Sequence, residues 1–186
     1  MKTIFINALV FQAGWLCCVL AGANQLPWLG TLTALLIVAC HVFHAMDPRK
    51  ELALILIAGG IGAVWDSYLV YAGWLQYPSG ILIEGTAPHW IVAMWLLFAT
   101  TLNVSLKWLK QHLVLAGVLG AISGPAAYLA GWKLGGVLMP DPVIAMVALG
   151  IGWALFMPLL MTLANRFDGM TLQPAYPKFA GWNARV

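Results

Sequence analysis

Asp66 is a carboxylate set inside a long apolar stretch, roughly 21 Å beyond its start at 1.5 Å per residue. An acid facing hydrocarbon costs at least about 2.5 kcal/mol, so Asp66 must face protein or water. At about 100° per residue, Gly59, Gly62, Asp66 and Gly73 share one helical stripe. Small residues along one face mark close helix contact. A second stripe, Gly117, Gly120, Gly124 and Gly131, has Pro125 directly after Gly124. Proline lacks an N–H, so the carbonyl of Ala121 loses its helical partner. These features predict that the two stripes touch. They also predict a ligand or proton site made of Asp66, Tyr128, Ser123, Gly124 and Pro125. Within it, a protonated Asp66 is expected to donate to the Ala121–Pro125 turn. The plainer alternative is that Asp66 only pins two helices together.

A second polar layer comprises Asn7 and Gln12 in the first apolar stretch, His41 and His44 in the second, and Asn103 in the fourth. His41 and His44 stand at i and i+3, on one face, and could share a ligand. Two histidines make a weak metal motif, so no metal and no cofactor are expected. Glu84 and His89 could pair as acid and base in a loop, although a solvated acid beside an interfacial histidine fits as well. The chain contains no P-loop, CxxC or Ser/His/Asp order.

The elements that must position these groups are six apolar stretches, near 4–21, 29–45, 52–75, 89–106, 112–131 and 142–164. Each is near or above the ~17–25 residues that a spanning helix needs. With 62% hydrophobic and 8% charged residues, the composition predicts an all-α membrane protein, a six-transmembrane-helix bundle over residues 1–164 with a short cytoplasmic tail over 165–186. There is no room for a soluble catalytic or nucleotide-binding domain, and the net charge of +3 is no nucleic-acid signal. Eight of the nine Lys and Arg residues fall on one side of the six-span layout, Lys133 being the exception. This bias predicts that both termini are cytoplasmic. Lys2, the apolar run and Ala21-Gly22-Ala23 also imitate a signal sequence, but Asn7 and Gln12 interrupt that run. Cys17, Cys18 and Cys40 read as small buried side chains, with Cys17 and Cys40 roughly 9 Å apart in depth. Nothing in the sequence sets the oligomeric state.

Stretches three and four match five and six at an offset of 58 residues: Gly59, Gly62 and Ala63 onto Gly117, Gly120 and Ala121, and Trp95 onto Trp153. Ala72-Gly73-Trp74 likewise falls on Ala130-Gly131-Trp132. Either a parallel repeat of helices 3–4 and 5–6 or shared composition accounts for this.

Asn7 with Phe11-Gln12 and Trp15, Asp66-Ser67, Pro88, Trp90, Trp95 and Phe98 form a combined signature with Leu102-Asn103-Val104-Ser105-Leu106, Gly124-Pro125, Tyr128 and Ala130-Gly131. In this combination the chain resembles the bacterial membrane proteins grouped as domain of unknown function 2878. The resemblance covers stretches one to five and implies an identity and a bacterial inner-membrane location without a mechanism. Its family context implies envelope lipid metabolism. Three functions stand open. A small carrier or binding protein would use a water-accessible Asp66. A membrane-embedded enzyme or accessory acting on lipids would show a lipid-sized lateral opening beside the polar groups. A ligand-free scaffold would keep Asp66 dry and packed. Membrane lipids, and a lipid-like or small-molecule ligand, are the expected partners.

Overall fold

The computed structural model describes residues 2–171. Residues 172–186, with Lys178, Arg185 and most of the expected tail, lie outside the described residues. Among the described residues the chain is helical without strands: α1 (Lys2–Ala23), α2 (Pro27–Phe43), α3 (Pro48–Tyr71), α4 (His89–Ala99), a 3₁₀ turn (Lys107–Gln111), α5 (Leu113–Lys133) and α6 (Pro142–Arg166). Proline opens α2, α3 and α6, where its missing N–H would be unpaired anyway. Asp47 caps α3 by accepting from Lys50 N at 3.3 Å, and Asp141 caps α6 by accepting from Val143 N and Ile144 N, both at 3.1 Å.

Among the described residues four helices, α1, α3, α5 and α6, are long and apolar enough to cross a membrane, while α2 and α4 are shorter apolar helices. Over α1 and α5 only 22% of the apolar window is buried, so most of their hydrophobic surface faces outward. Helices apolar all round yet exposed need lipid as their solvent.

The fourth stretch departs from expectation. Its α-helix stops at Ala99 instead of running to Leu106, and turns follow. Thr100 and Thr101 turn their hydroxyls onto the Leu97 and Phe98 carbonyls, each at 2.7 Å, the local competition by which threonine loosens a helix. Asn7 then serves the freed backbone, donating to Thr100 O at 3.1 Å and accepting from Ser105 N at 3.3 Å. Thr100, Thr101, Leu102 and Asn103 are all buried. Irregular backbone at membrane depth is tolerated where protein surrounds it, and α4 packs against α1, α2 and α3.

The expected pairing of α3 with α5 is overturned. The two share no packed interface; α3 packs chiefly on α4 and α5 on α6. A Cβ at Gly62 would overlap the Trp95 indole, and one at Gly59 the Leu96 side chain. On α5, Gly124 faces the Trp153 indole, while Gly117 and Gly120 lie against the Ala154 and Trp153 carbonyls. Each stripe therefore receives the helix that follows it. The two indoles, stacked at 4.7 Å and 10°, fill the space in which the stripes would have met.

The turns that end α3 and α5 correspond at an offset of 62, not 58. Gly73 (φ 74°) and Gly135 (φ 81°) take the left-handed conformation, and Gln76 bridges Leu138. Gly131, expected opposite Gly73, lies inside α5. Trp95 and Trp153 keep the offset of 58 across the later helices.

Candidate functional site

Asp66 is fully buried on α3 and is met by three donors. Tyr128 Oη of α5 donates to Oδ1 at 2.6 Å, Tyr77 Oη donates to the same oxygen at 3.0 Å, and Trp95 Nε1 of α4 donates to Oδ2 at 2.7 Å. A carboxylate accepting three hydrogen bonds needs no cation to be satisfied. The expected Asp66–Tyr128 pair is present, but Asp66 does not donate to the loosened turn of α5. The Ala121 carbonyl faces Gly150 of α6 instead. Tyr77, in the α3–α4 loop, is set by the adjacent Gln76–Leu138 bridge. Burial, then the neighbouring Asp66 charge, hold its phenol well above the usual range, so it remains a donor.

Tyr77, Trp95 and Tyr128 turn their rings towards a cavity of about 830 Å³. Its walls come from α1 (Phe5, Gln12, Trp15), α4 (Met94, Phe98), α5 (Ser123, Gly124, Ala127) and α6 (Trp153, Met157). Because α1 and α5 have no packed interface, this space is a cleft between them. Val19, near the end of α1, touches Gly136 just past the end of α5, and Phe5 and Trp108 near their starts line the same cleft, so the two helices run in parallel. Of the expected site, Ser123, Gly124 and Tyr128 line the cleft, Asp66 lies behind its aromatic wall, and Pro125 is buried away from the lining. None of the lining residues is Asp, Glu, Lys, Arg or His.

The second polar layer divides into separate parts. His41 Nε2 lies 2.7 Å from Glu51 Oε1, and Asn103 Nδ2 donates to Glu51 Oε2 at 2.7 Å. Gly169 N donates to the same oxygen at 3.1 Å. Glu51, fully buried, was not foreseen as the centre of this group. His44 leaves it, bonding the Cys40 carbonyl at 2.7 Å, so the two histidines share no ligand. Asn7 serves the end of α4, and Gln12 belongs to the cleft. Near Glu51, Lys110 Nζ donates to Ala164 O at 3.0 Å and to Asp168 at 2.9 Å. Burial pushes the Asp168 carboxyl up, but Lys110 and the backbone N–H of Met170 outweigh it and hold it below the usual range. On the opposite side, His89 does not meet Glu84. It lies 2.6 Å from Thr31 Oγ1 and stacks on Trp28 at 4.1 Å.

Tyr77 and Trp95 were missed as partners of Asp66: Trp95 stood in the sequence only as a repeat and signature residue, and Tyr77 was not singled out. A buried acid without a cation demands donors, and only the fold shows which aromatics supply them.

Apolar helices of membrane-spanning length, two buried carboxylates and an uncharged cleft define an all-helical membrane protein. The sequence model of the family described as "Protein of unknown function (DUF2878)" matches residues 4–159, and the chain belongs to this family. No curated protein and no solved structure matches it.

Proposed function

We propose that the protein crosses the bacterial inner membrane six times with both termini cytoplasmic, and binds a lipid-like ligand between α1 and α5. The topology rests on the eight-to-one distribution of Lys and Arg. In this reading α4 completes its crossing through the buried turns that follow Ala99. Reporter fusions after Ser79 and after Asp168 are expected to read periplasmic and cytoplasmic respectively.

The observation that carries the binding reading is the cleft. Its volume of about 830 Å³ falls within the ~300–1,000 Å³ of ligand sites, and aromatic and aliphatic side chains dominate its walls. A chain entering sideways from the bilayer would meet no charged group. Asp66 acts in this reading as a strut. It orders Tyr77, Trp95 and Tyr128 as one wall and touches no ligand, in keeping with its complete burial. A role in envelope lipid modification is then that of a protein that holds the lipid for a partner enzyme or carries it.

Native mass spectrometry of the detergent-purified protein tests the reading. Wild type is expected to retain a bound lipid. Ala127→Trp, which fills the cleft from α5, is expected to lose it while keeping the same helical content by circular dichroism. A wild-type protein that carries no lipid, or a variant that carries as much, would count against the cleft as a binding site.

A further inference from the structure

An exposed amide and an exposed hydroxyl on the cleft walls have no use in the fold. Gln12 of α1 and Ser123 of α5 both line the cleft, both are exposed, and among the described residues neither side chain makes a hydrogen bond. Several polar groups nearby are employed, Tyr77 and Tyr128 on Asp66 and Thr101 on the Phe98 carbonyl, while the Ser105 hydroxyl and the Trp153 N–H on the same walls also lack a partner among the described residues. In water an unpartnered amide and hydroxyl would need no explanation. Inside a bilayer no solvent satisfies them, and each such group costs free energy until it finds a partner.

Their depth agrees. The contact of Val19 with Gly136 ties the far ends of α1 and α5 together. Measured back at 1.5 Å per residue, Gln12 lies roughly 10 Å from Val19, and Ser123 roughly 12 Å from Gly131 at the corresponding end of α5. The two groups therefore face a similar level of the cleft, each midway along its helix. Gln12 offers two donors and an acceptor, and Ser123 one donor and an acceptor. Among the described residues no Asp, Glu, Lys, Arg or His lines the cleft to balance a charge.

Resting on the lipid-binding reading, we infer that the cleft selects an uncharged chain bearing a hydrogen-bonding oxygen part-way along its length. That oxygen would be held between Gln12 and Ser123. An unsubstituted hydrocarbon chain would leave both groups unpaired, and a charged group at that depth would lack a counter-ion.

The test uses the full-length protein in nanodiscs. Quenching of the cleft tryptophans is followed on titration with methyl octadecanoate and with methyl 12-hydroxyoctadecanoate. Wild type is expected to bind the hydroxy ester about tenfold more tightly, as one or two net hydrogen bonds would give. Gln12→Leu and Ser123→Ala are each expected to shrink that preference, by weakening the hydroxy ester and by sparing the plain ester an unpaired polar group. Equal binding of the two esters by wild type overturns this inference and leaves the cleft reading standing, as does a preference that survives both substitutions. If neither ester binds, the cleft reading fails and the inference with it.

Discussion

The hairpins α3–α4 and α5–α6 use one packing device and put it to unequal use. In both, a glycine on the first helix admits a tryptophan from the second: Gly62 with Trp95, Gly124 with Trp153. The two indoles then stack on each other, which joins the hairpins without any glycine-to-glycine contact between α3 and α5. The polar ends differ. The Trp95 N–H finds Asp66, whereas the buried Trp153 N–H has no partner among the described residues. At the offset of 62, Asp66 falls on Tyr128, and the phenol reaches across to the acid. One hairpin supplies the acceptor and the other a donor. Chemistry has been concentrated at one place by making the halves unlike while their packing stays alike.

Removing the acceptor should have the largest effect. Asp66→Leu leaves three buried donors unpaired, each costing about 1–3 kcal/mol with partial relaxation between them. A loss of about 3–5 kcal/mol is expected, comparable with breaking a buried charged group's partners. Asp66→Asn keeps the shape and one acceptor oxygen, so it should cost less than half as much. Thermal unfolding in detergent measures both. If Asp66→Leu unfolds within a degree of wild type, the acid does not join the hairpins and the comparison breaks.

Asp66 and Tyr128 were legible because a carboxylate in an apolar stretch is costly enough to demand a partner. The glycine stripes were legible as sites of close approach, but not their partners. Small residues set how near a helix can come, and the position of the large side chains decides which helix does. Trp95 and Trp153 resembled each other in sequence, yet nothing in that likeness placed them against Gly62 and Gly124. Glu51 escaped notice because it stands in the first turn of α3, next to Arg49 and Lys50, where an acid ordinarily sits in water and favours the helix dipole. Its burial comes from His41, Asn103 and Gly169, residues distant in sequence. The early end of α4 depended likewise on Thr100, Thr101 and the remote Asn7.

A middle-sized effect tests the shared device itself. Gly62→Ala and Gly124→Ala each place a methyl group into an indole, and such overpacking costs about 1–3 kcal/mol. Alanine recovers up to about 1 kcal/mol in helix propensity, so the net loss should be about 1–2 kcal/mol at both positions. Near-equal losses, read from paired unfolding curves, would sharpen the parallel between the hairpins. A tolerated Gly124→Ala beside a damaging Gly62→Ala would confine the device to α3–α4.

The smallest expected effect isolates the difference between the halves. Trp95→Phe and Trp153→Phe remove comparable aromatic surface from the same stack, so the packing losses should nearly cancel when the two are compared. What remains is the indole N–H. At Trp95 its removal strips Asp66 of one of three donors, a hydrogen bond to a buried acid worth about 1.5–3 kcal/mol. At Trp153 the same change deletes a buried donor that the protein leaves unsatisfied, which relieves a desolvation cost. Trp95→Phe should therefore be the less stable variant by at least about 1.5 kcal/mol. Double substitution with Asp66→Asn should shrink that gap, because the acceptor lost in the second change is the one Trp95 serves. Equal stabilities for the two single variants would mean that the Trp95–Asp66 bond contributes nothing, and the asymmetry between the hairpins would lose its energetic content.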